Sequence, residues 1–300
     1  MLSGIFLGAV TAVLQSFSYL ASAFFIRKHA SALKLLISSH LLMGATGMFL
    51  LPFCFPAELF ASVSRALLLL AAWIILFCLG QGGFFICQKE IESSRLASLL
   101  GLKIAVLSLI WVLFFGNRLN LLQIAGVVMC VIAAFAMNWS GGKTFTFKSL
   151  IVLALTLVSF SLTDITETHM VLLADNGNIV TSGIAVTLLC YFTLGIFSLP
   201  FLLKIKISRQ MLRDALPFAA LWLISQMTLL ICFGMLQPVF GNVIQSSRGI
   251  FSVLLGCLAC RLGWNVMENT SSGRLWIRRG IAALLMISGI AAFSFGKIIT

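Results

Sequence analysis

Apolar residues run along this chain in long blocks separated by short polar stretches. At about twenty apolar residues per bilayer crossing, the blocks predict helices at approximately 4–25, 33–53, 66–88, 96–115, 121–139, 149–173, 179–203, 215–236, 240–260 and 276–296. The longest connections, around 54–65 and 261–275, are too small to fold alone. The pattern predicts an all-α polytopic membrane protein of ten transmembrane helices with no extramembrane domain.

Composition agrees: 61% of the 300 residues are hydrophobic and 9% are charged, too apolar for a soluble domain. The net charge of +12 would suggest nucleic acid in a soluble chain, but most Lys and Arg lie at helix ends, where they set orientation. No basic patch is interleaved with aromatics away from the membrane, so no nucleic-acid partner is expected. The eight cysteines fall almost wholly in apolar blocks and imply packing. Cys257-x-x-Cys260 has metal or redox spacing but lacks a second pair. No cofactor, metal set or cleavable leader is expected; Arg27, Lys28 and His29 follow the first block where a small-residue cleavage site would stand.

Short segments recur in order along the chain. Gln81 begins QGGFFIC and Gln226 begins QMTLLIC; Gly47 begins GMFLLPF and Gly195 begins GIFSLPF; Ile132 begins IAAFA and Ile290 begins IAAFS. Thr11 and Ser16 correspond to Thr156 and Ser161 at the Gln81–Gln226 offset. The chain therefore reads as a duplicated five-helix unit, 1–145 and 146–300. Five crossings per unit make the second copy enter from the opposite side, so the halves are inverted repeats, an arrangement that places a shared site near the midplane. Apart from Lys103 and Arg248, the 20 Lys and Arg residues fall almost all on one face of this topology. Only Arg65, Arg118 and Lys297 fall on the other. The positive-inside rule puts both termini outside the cytoplasm.

Lys103 and Arg248 are the residues that call for chemistry. Each sits within an apolar block, at matching positions of the two repeats, and a cation near the bilayer centre costs about 2.5–3.5 kcal/mol on insertion scales. Two readings stand: they snorkel or pair with an acid, or they line a substrate cavity. If the ninth block is one helix, Gln245, Arg248 and Ser252 share a face. Trp111 is assigned to the Lys103 face. Asp164 and Glu167 share a face of the sixth block, and their repeat mates Tyr19 and Ser22 form a polar stripe with Gln15 on the first. The acids either neutralise the bases or take a proton or a substrate amine. Gln81 and Gln226, repeat mates, with Trp222 one turn before the latter, offer uncharged donors and acceptors. His40 reads as one end of an interhelical hydrogen bond. The stripes Gly126, Cys130, Ala134 and Ser288, Ala292, Gly296 suit close helix packing, within the chain or in a homodimer. Lys89, Glu90, Glu92 and Arg95 form a mixed-charge connection, and Trp139 and Trp276 suit interfacial anchoring.

Gly116–Gly126, GNRLNLLQIAG, is similar to the turn that joins the fourth and fifth helices in the drug/metabolite transporter superfamily, in its ten-helix EamA-like branch. Arg118, Leu119, Gln123 and Gly126 match; Asn117 stands where that family has glutamate, and RLGWNVMEN in the second half departs further. With two five-helix units the resemblance spans the whole chain. It implies alternating-access transport of a small metabolite without ATP, from a cavity lined by both halves. Relatives that carry phosphate compounds use basic residues on the fourth and ninth helices, where Lys103 and Arg248 lie. Members are usually described with both termini in the cytoplasm, opposite to the charge count.

The expected function is transport, in efflux or uptake, of a small anionic or zwitterionic metabolite across the inner or plasma membrane, by a monomer or homodimer coupled to protons or a counter-substrate. Lys103 and Arg248 would hold its acidic group, with Gln81, Gln226, Gln245, Tyr19, Trp111 and Trp222 orienting it. The alternative is a proton-coupled exporter of cationic drugs built on Asp164 and Glu167. An enzyme is not expected, since no HExxH, Ser–His–Asp set or acidic metal cluster is present.

Overall fold

The computed structural model describes residues 1–55, 57–88, 96, 99–116, 118–138, 147–261 and 273–299. The charged connection at Lys89–Arg95, Asn117, Trp139, most of RLGWNVMEN and the side chains of Ser252, Cys257, Cys260 and Trp276 lie outside what is described.

Among the described residues regular structure is helical: α1 (Leu2–His29), α2 (Ala32–Cys54), α3 (Val63–Gln88), α4 (Lys103–Phe115), α5 (Leu121–Asn138), α6 (Phe147–Leu173), α7 (Ile179–Ser198), α8 (Arg209–Leu236), α9 (Pro238–Gln245), α10 (Arg248–Arg261) and α11 (Gly273–Ile299). Short 3-10 segments at Ala57–Ser62, Leu100–Leu102 and Leu199–Leu203 precede α3, precede α4 and extend α7. Six helices, α1, α2, α3, α6, α7 with its extension and α8, are long and apolar enough to cross a bilayer. In lipid a helix satisfies its own backbone groups, which is why long apolar blocks become helices there. The chain is a multi-pass membrane protein.

Local signals explain several ends. Ala30 closes α1 in the left-handed region (φ 51°), and Ser31 Oγ accepts from Lys34 N–H to open α2. Asn178 Oδ1 accepts from Val180 and Thr181 N–H at the start of α7. Before α5, Asn120 Oδ1 accepts from Gln123 N–H while Gln123 Oε1 accepts from Asn120 N–H, a reciprocal capping box. Gln123, matched above to a family turn, thus has a local structural task.

The chain divides into two compact units, Met1–Ile75 with Thr163–Leu236 and Leu76–Leu162 with Gln237–Thr300. Each therefore draws on both halves of the sequence. In the first unit α1 packs along α8 and α2 along α7, with α8 also against α2 and α7. The α2–α7 crossing is set by glycine: a Cβ on Gly44 would lie 2.6 Å from Gly195 Cα, so the two backbones touch. At one end of this unit Asp214 Oδ2 meets Lys28 Nζ and His29 Nε2, each at 2.8 Å.

In the second unit α5 packs along α11, and α9 packs against α4, its 3-10 segment and α11. A Cβ on Gly126 would sit 2.6 Å from Gly289 O, one on Gly289 would meet Cys130 Sγ at 2.9 Å, and one on Gly296 would meet the Gln123 side chain at 2.8 Å. The small-residue stripes thus serve a pairing within the chain, with Gly289 rather than Ser288 at the closest approach. One of the three places where the chain passes between the units is at Gln237, whose φ of 76° and ψ of 154° are rare for any residue but glycine, immediately before Pro238 opens α9.

Candidate functional site

Both cations begin helices. The blocks 96–115 and 240–260 were expected as continuous helices, and each is interrupted immediately before its cation. Leu100–Leu102 is a 3-10 segment and Lys103 is the first residue of α4; α9 ends at Gln245, and Arg248 is the first residue of α10.

At the second interruption two serine hydroxyls turn back on the chain. Ser246 Oγ donates to Val243 O (2.6 Å) and Ser247 Oγ to Ile244 O (2.8 Å), competing for carbonyls that a continuous helix would use. The backbone tightens to i→i+3 bonds, with Ser247 N–H to Ile244 O, Gly249 N–H to Ser246 O and Ile250 N–H to Ser247 O. The expected stripe Gln245–Arg248–Ser252 therefore does not lie along one regular helix, because the break changes the angular step between Gln245 and Arg248.

Lys103 and Arg248 are buried, 6% and 5% exposed. They belong to the same unit, in which α9 rests against α4 and the 3-10 segment before it. The backbone N–H groups at these starts stay bonded within the chain, Lys103 N–H to Leu100 O and Gly249 and Ile250 N–H to Ser246 O and Ser247 O.

The two buried acids lie in the other unit. Asp164 and Glu167 are 5% and 4% exposed, well inside the 27 residues of α6. Glu167 Oε1 accepts a hydrogen bond from Trp73 Nε1 of α3 at 2.7 Å. The Trp73 ring stands nearly perpendicular to Tyr191 of α7, centroids 6.0 Å apart. Trp222 Nε1 of α8 donates to Tyr191 Oη at 2.6 Å. Tyr19 of α1 packs edge-on against Trp222 at 6.0 Å, and Phe218 of α8 stacks on Trp222 at 5.8 Å. Four helices thus contribute aromatic rings to a chain of contacts that ends at Glu167 on α6.

Of the residues singled out in the sequence, Tyr19, Trp222 and Glu167 are joined by this chain of contacts. Trp73 and Tyr191, its middle members, are absent from that selection. A signal for them existed: the chain has 26 Phe but only two Tyr, and both tyrosines lie inside spans rather than at span ends, where an amphipathic ring usually sits.

Gln226 is buried in the same unit on α8. Gln81 and Gln245 are buried in the unit of the cations. Trp111 is half-buried, stacked on Phe115 at 5.0 Å, and about 12 Å along α4 from Lys103 at 1.5 Å per residue. Ser108 Oγ, between them on α4, is buried without a hydrogen-bond partner among the described residues. Gly80 and Gly83 on α3 admit Phe160 and Thr156 of α6, and Gly82 faces open space. His40 Nδ1 lies 3.2 Å from Ser198 Oγ, an α2–α7 hydrogen bond.

No protein-family model matches the sequence, and no curated protein matches it. Solved structures do resemble it in fold. One crystal structure superimposes with a TM-score of 0.63 at 16% identity, over 97% of this chain and 96% of that chain.

Proposed function

We propose that this chain is a secondary transporter of a small anionic or zwitterionic metabolite, working by alternating access without ATP in the cell membrane, and that it is built as two inverted five-helix repeats of the drug/metabolite transporter type. One pair of contacts supports the repeat. Thr11 of α1 bonds Thr228 of α8, Oγ1 to Oγ1 at 2.7 Å. Moving both positions by the offset that relates Gln81 to Gln226 gives Thr156 of α6 and Gly83 of α3, and these two also touch.

The observation that carries the function is the placement of the cations. Two buried basic residues, at matching positions of the repeat, each open a helix that follows an interruption within an apolar block. Interrupted membrane helices whose N-terminal ends face an anionic group are a recurring way to build a transport site. Lys103 and Arg248 would take the acidic group of the substrate, with Gln81 and Gln245 as neutral donors and acceptors in the same unit.

The test is counterflow in proteoliposomes against amino acids, organic acids and phosphorylated metabolites. Arg248→Ala should lower transport about a hundredfold, the scale of a charged hydrogen-bonding partner lost from a desolvated site, with unchanged expression and elution. Wild-type transport in that variant removes the site assignment. A second reading, a proton-coupled exporter of cationic drugs, is supported by the aromatic setting of Glu167; loss of drug resistance in Glu167→Gln with normal resistance in Arg248→Ala would select it.

A further inference from the structure

Charge is unevenly placed on the unit of α1, α2, α7 and α8. At the end where α1 and α7 finish and α2 and α8 start, the connection into α8 and its first turns expose Lys204, Lys206, Arg209 and Arg213. Ile205 and Ile207 are half-buried, so the alternation turns both lysines outward. The contact of Lys28 Nζ with Asp214 Oδ2 brings the last turn of α1 beside them. Asp214 is the one acid among the described residues of this end, and Lys28 and His29 already share one oxygen of its carboxylate. Lys204, Lys206, Arg209 and Arg213 form no ion pair among the described residues. The opposite end of the unit carries Glu58 and Asp175 against Arg65.

The chain immediately before these cations is apolar and open. Leu199, Phe201 and Leu203, in the 3-10 extension of α7, are 52%, 51% and 90% exposed, and the extension is the last part of an apolar span. Side chains of this kind at the end of a span lie against acyl chains, so Lys204, the next residue, stands at the depth where acyl chains give way to headgroups. Hydrogen bonds hold the connection in shape. Phe201 O accepts from Lys204 and Ile205 N–H, and Ser208 Oγ accepts from Met211 N–H at the start of α8.

A cluster of unneutralised cations at headgroup depth attracts anionic lipid. We infer that Lys204, Lys206, Arg209 and Arg213 bind the headgroup of an anionic phospholipid whose acyl chains lie along Leu199, Phe201 and Leu203. A zwitterionic lipid carries its own cation beside the phosphate and gains less from the same four charges. A soluble anion would meet those charges too, but it has nothing to lay against the exposed leucines and phenylalanine, whereas a lipid covers both parts of the surface at once. The surface lies wholly within one unit and is independent of the transport function proposed above.

The test uses the purified full-length protein in maltoside micelles doped with phosphatidylglycerol or, separately, with phosphatidylcholine of the same chains. Thermal unfolding is the readout, since a ligand held by the folded state raises the melting temperature. Wild type should show a saturable rise with phosphatidylglycerol that phosphatidylcholine does not give and that shrinks as sodium chloride is added. The double variant Lys204→Gln, Lys206→Gln loses no ion pair, so it should melt as wild type does in maltoside alone. It should need at least about tenfold more phosphatidylglycerol for half the rise, at about fivefold per charge near an anionic surface. The pair Arg209→Gln, Arg213→Gln should behave alike, and Arg65→Gln, at the opposite end, should respond as wild type does. Equal rises with the two lipids, or a wild-type response in either double variant, overturn the headgroup site. An equal rise with glycerol 3-phosphate at matched ionic strength would make the occupant a soluble anion and overturn it as well. The transporter reading fails separately, through unchanged counterflow in Arg248→Ala, so either can fall while the other stands.

Discussion

The two compact units bury opposite charges by different means. In the unit of α1, α2, α7 and α8, Asp164 and Glu167 sit deep within one long helix, and Glu167 is held by an indole N–H from a neighbouring helix. In the unit of α4, α5, α9, α10 and α11, Lys103 and Arg248 sit at the first residue of helices that follow a break. A long helix has no free backbone N–H at its middle to meet a carboxylate, so a side chain from elsewhere must do so. At the two breaks the backbone tightens but its N–H groups stay bonded within the chain.

Removing the donor in the first unit gives the largest stability change expected. Trp73→Phe keeps the ring and deletes the N–H that Glu167 accepts, which should cost about 1.5–3 kcal/mol, the scale for a buried hydrogen bond to a charged group. Thermal unfolding in detergent checks this, and a melting point equal to wild type would mean that the indole does not hold the carboxylate. Trp222→Phe, which removes a bond between neutral groups, should cost about 0.5–1.5 kcal/mol.

In the second unit the sharpest change is to the break. The double variant Ser246→Ala, Ser247→Ala takes away both hydroxyls that compete with the helix ladder, so α9 should run on into α10 and turn Arg248 to another face. Ser246 is buried and also hydrogen-bonds Cys130, so stability should fall by about 0.5–1.5 kcal/mol, while counterflow falls about tenfold. Equal transport by the double variant would separate the break from function.

The smallest effect returns to the first unit, at Asp214. Its partner Lys28 is 51% exposed, and an exposed ion pair contributes about 0–1 kcal/mol. Lys28→Ala should therefore change the melting point far less than Trp73→Phe, and raising the salt concentration should shrink the difference further. A larger effect than that of Trp73→Phe would show that the end contact, and not the buried carboxylate, anchors the unit.

Much of the helix layout was legible because it rests on block length alone. Six of the expected spans return as helices long and apolar enough to cross, and the caps at Ser31 and Asn178 follow from local residue type. The two interrupted blocks were not legible. Leu100–Leu102 is uniformly apolar or small, and SS in QSSRG reads equally well as a polar face of a helix. Whether a serine hydroxyl turns to solvent, to a neighbour or back to its own backbone depends on geometry that spacing does not encode. The cluster at Glu167 was half legible. Tyr19, Trp222 and Glu167 stood out as polar groups in apolar blocks, whereas Trp73 and Tyr191 were hidden because an aromatic residue in a span reads as packing.

By itself the sequence determined that the chain lives in a membrane, since 61% hydrophobic residues in long blocks leave water no stable alternative and force the backbone to satisfy itself in helices. It also determined which few polar residues would be buried at a cost. Only the tertiary structure decided their company. Helix pairing is set where two glycines let backbones touch, as at Gly44 with Gly195 and Gly126 with Gly289, and an apolar helix face gives no instruction about which neighbour it meets. Trp73 of α3 likewise meets Glu167 of α6, 94 positions away, a contact determined by the close approach of surfaces rather than by any pattern within one helix.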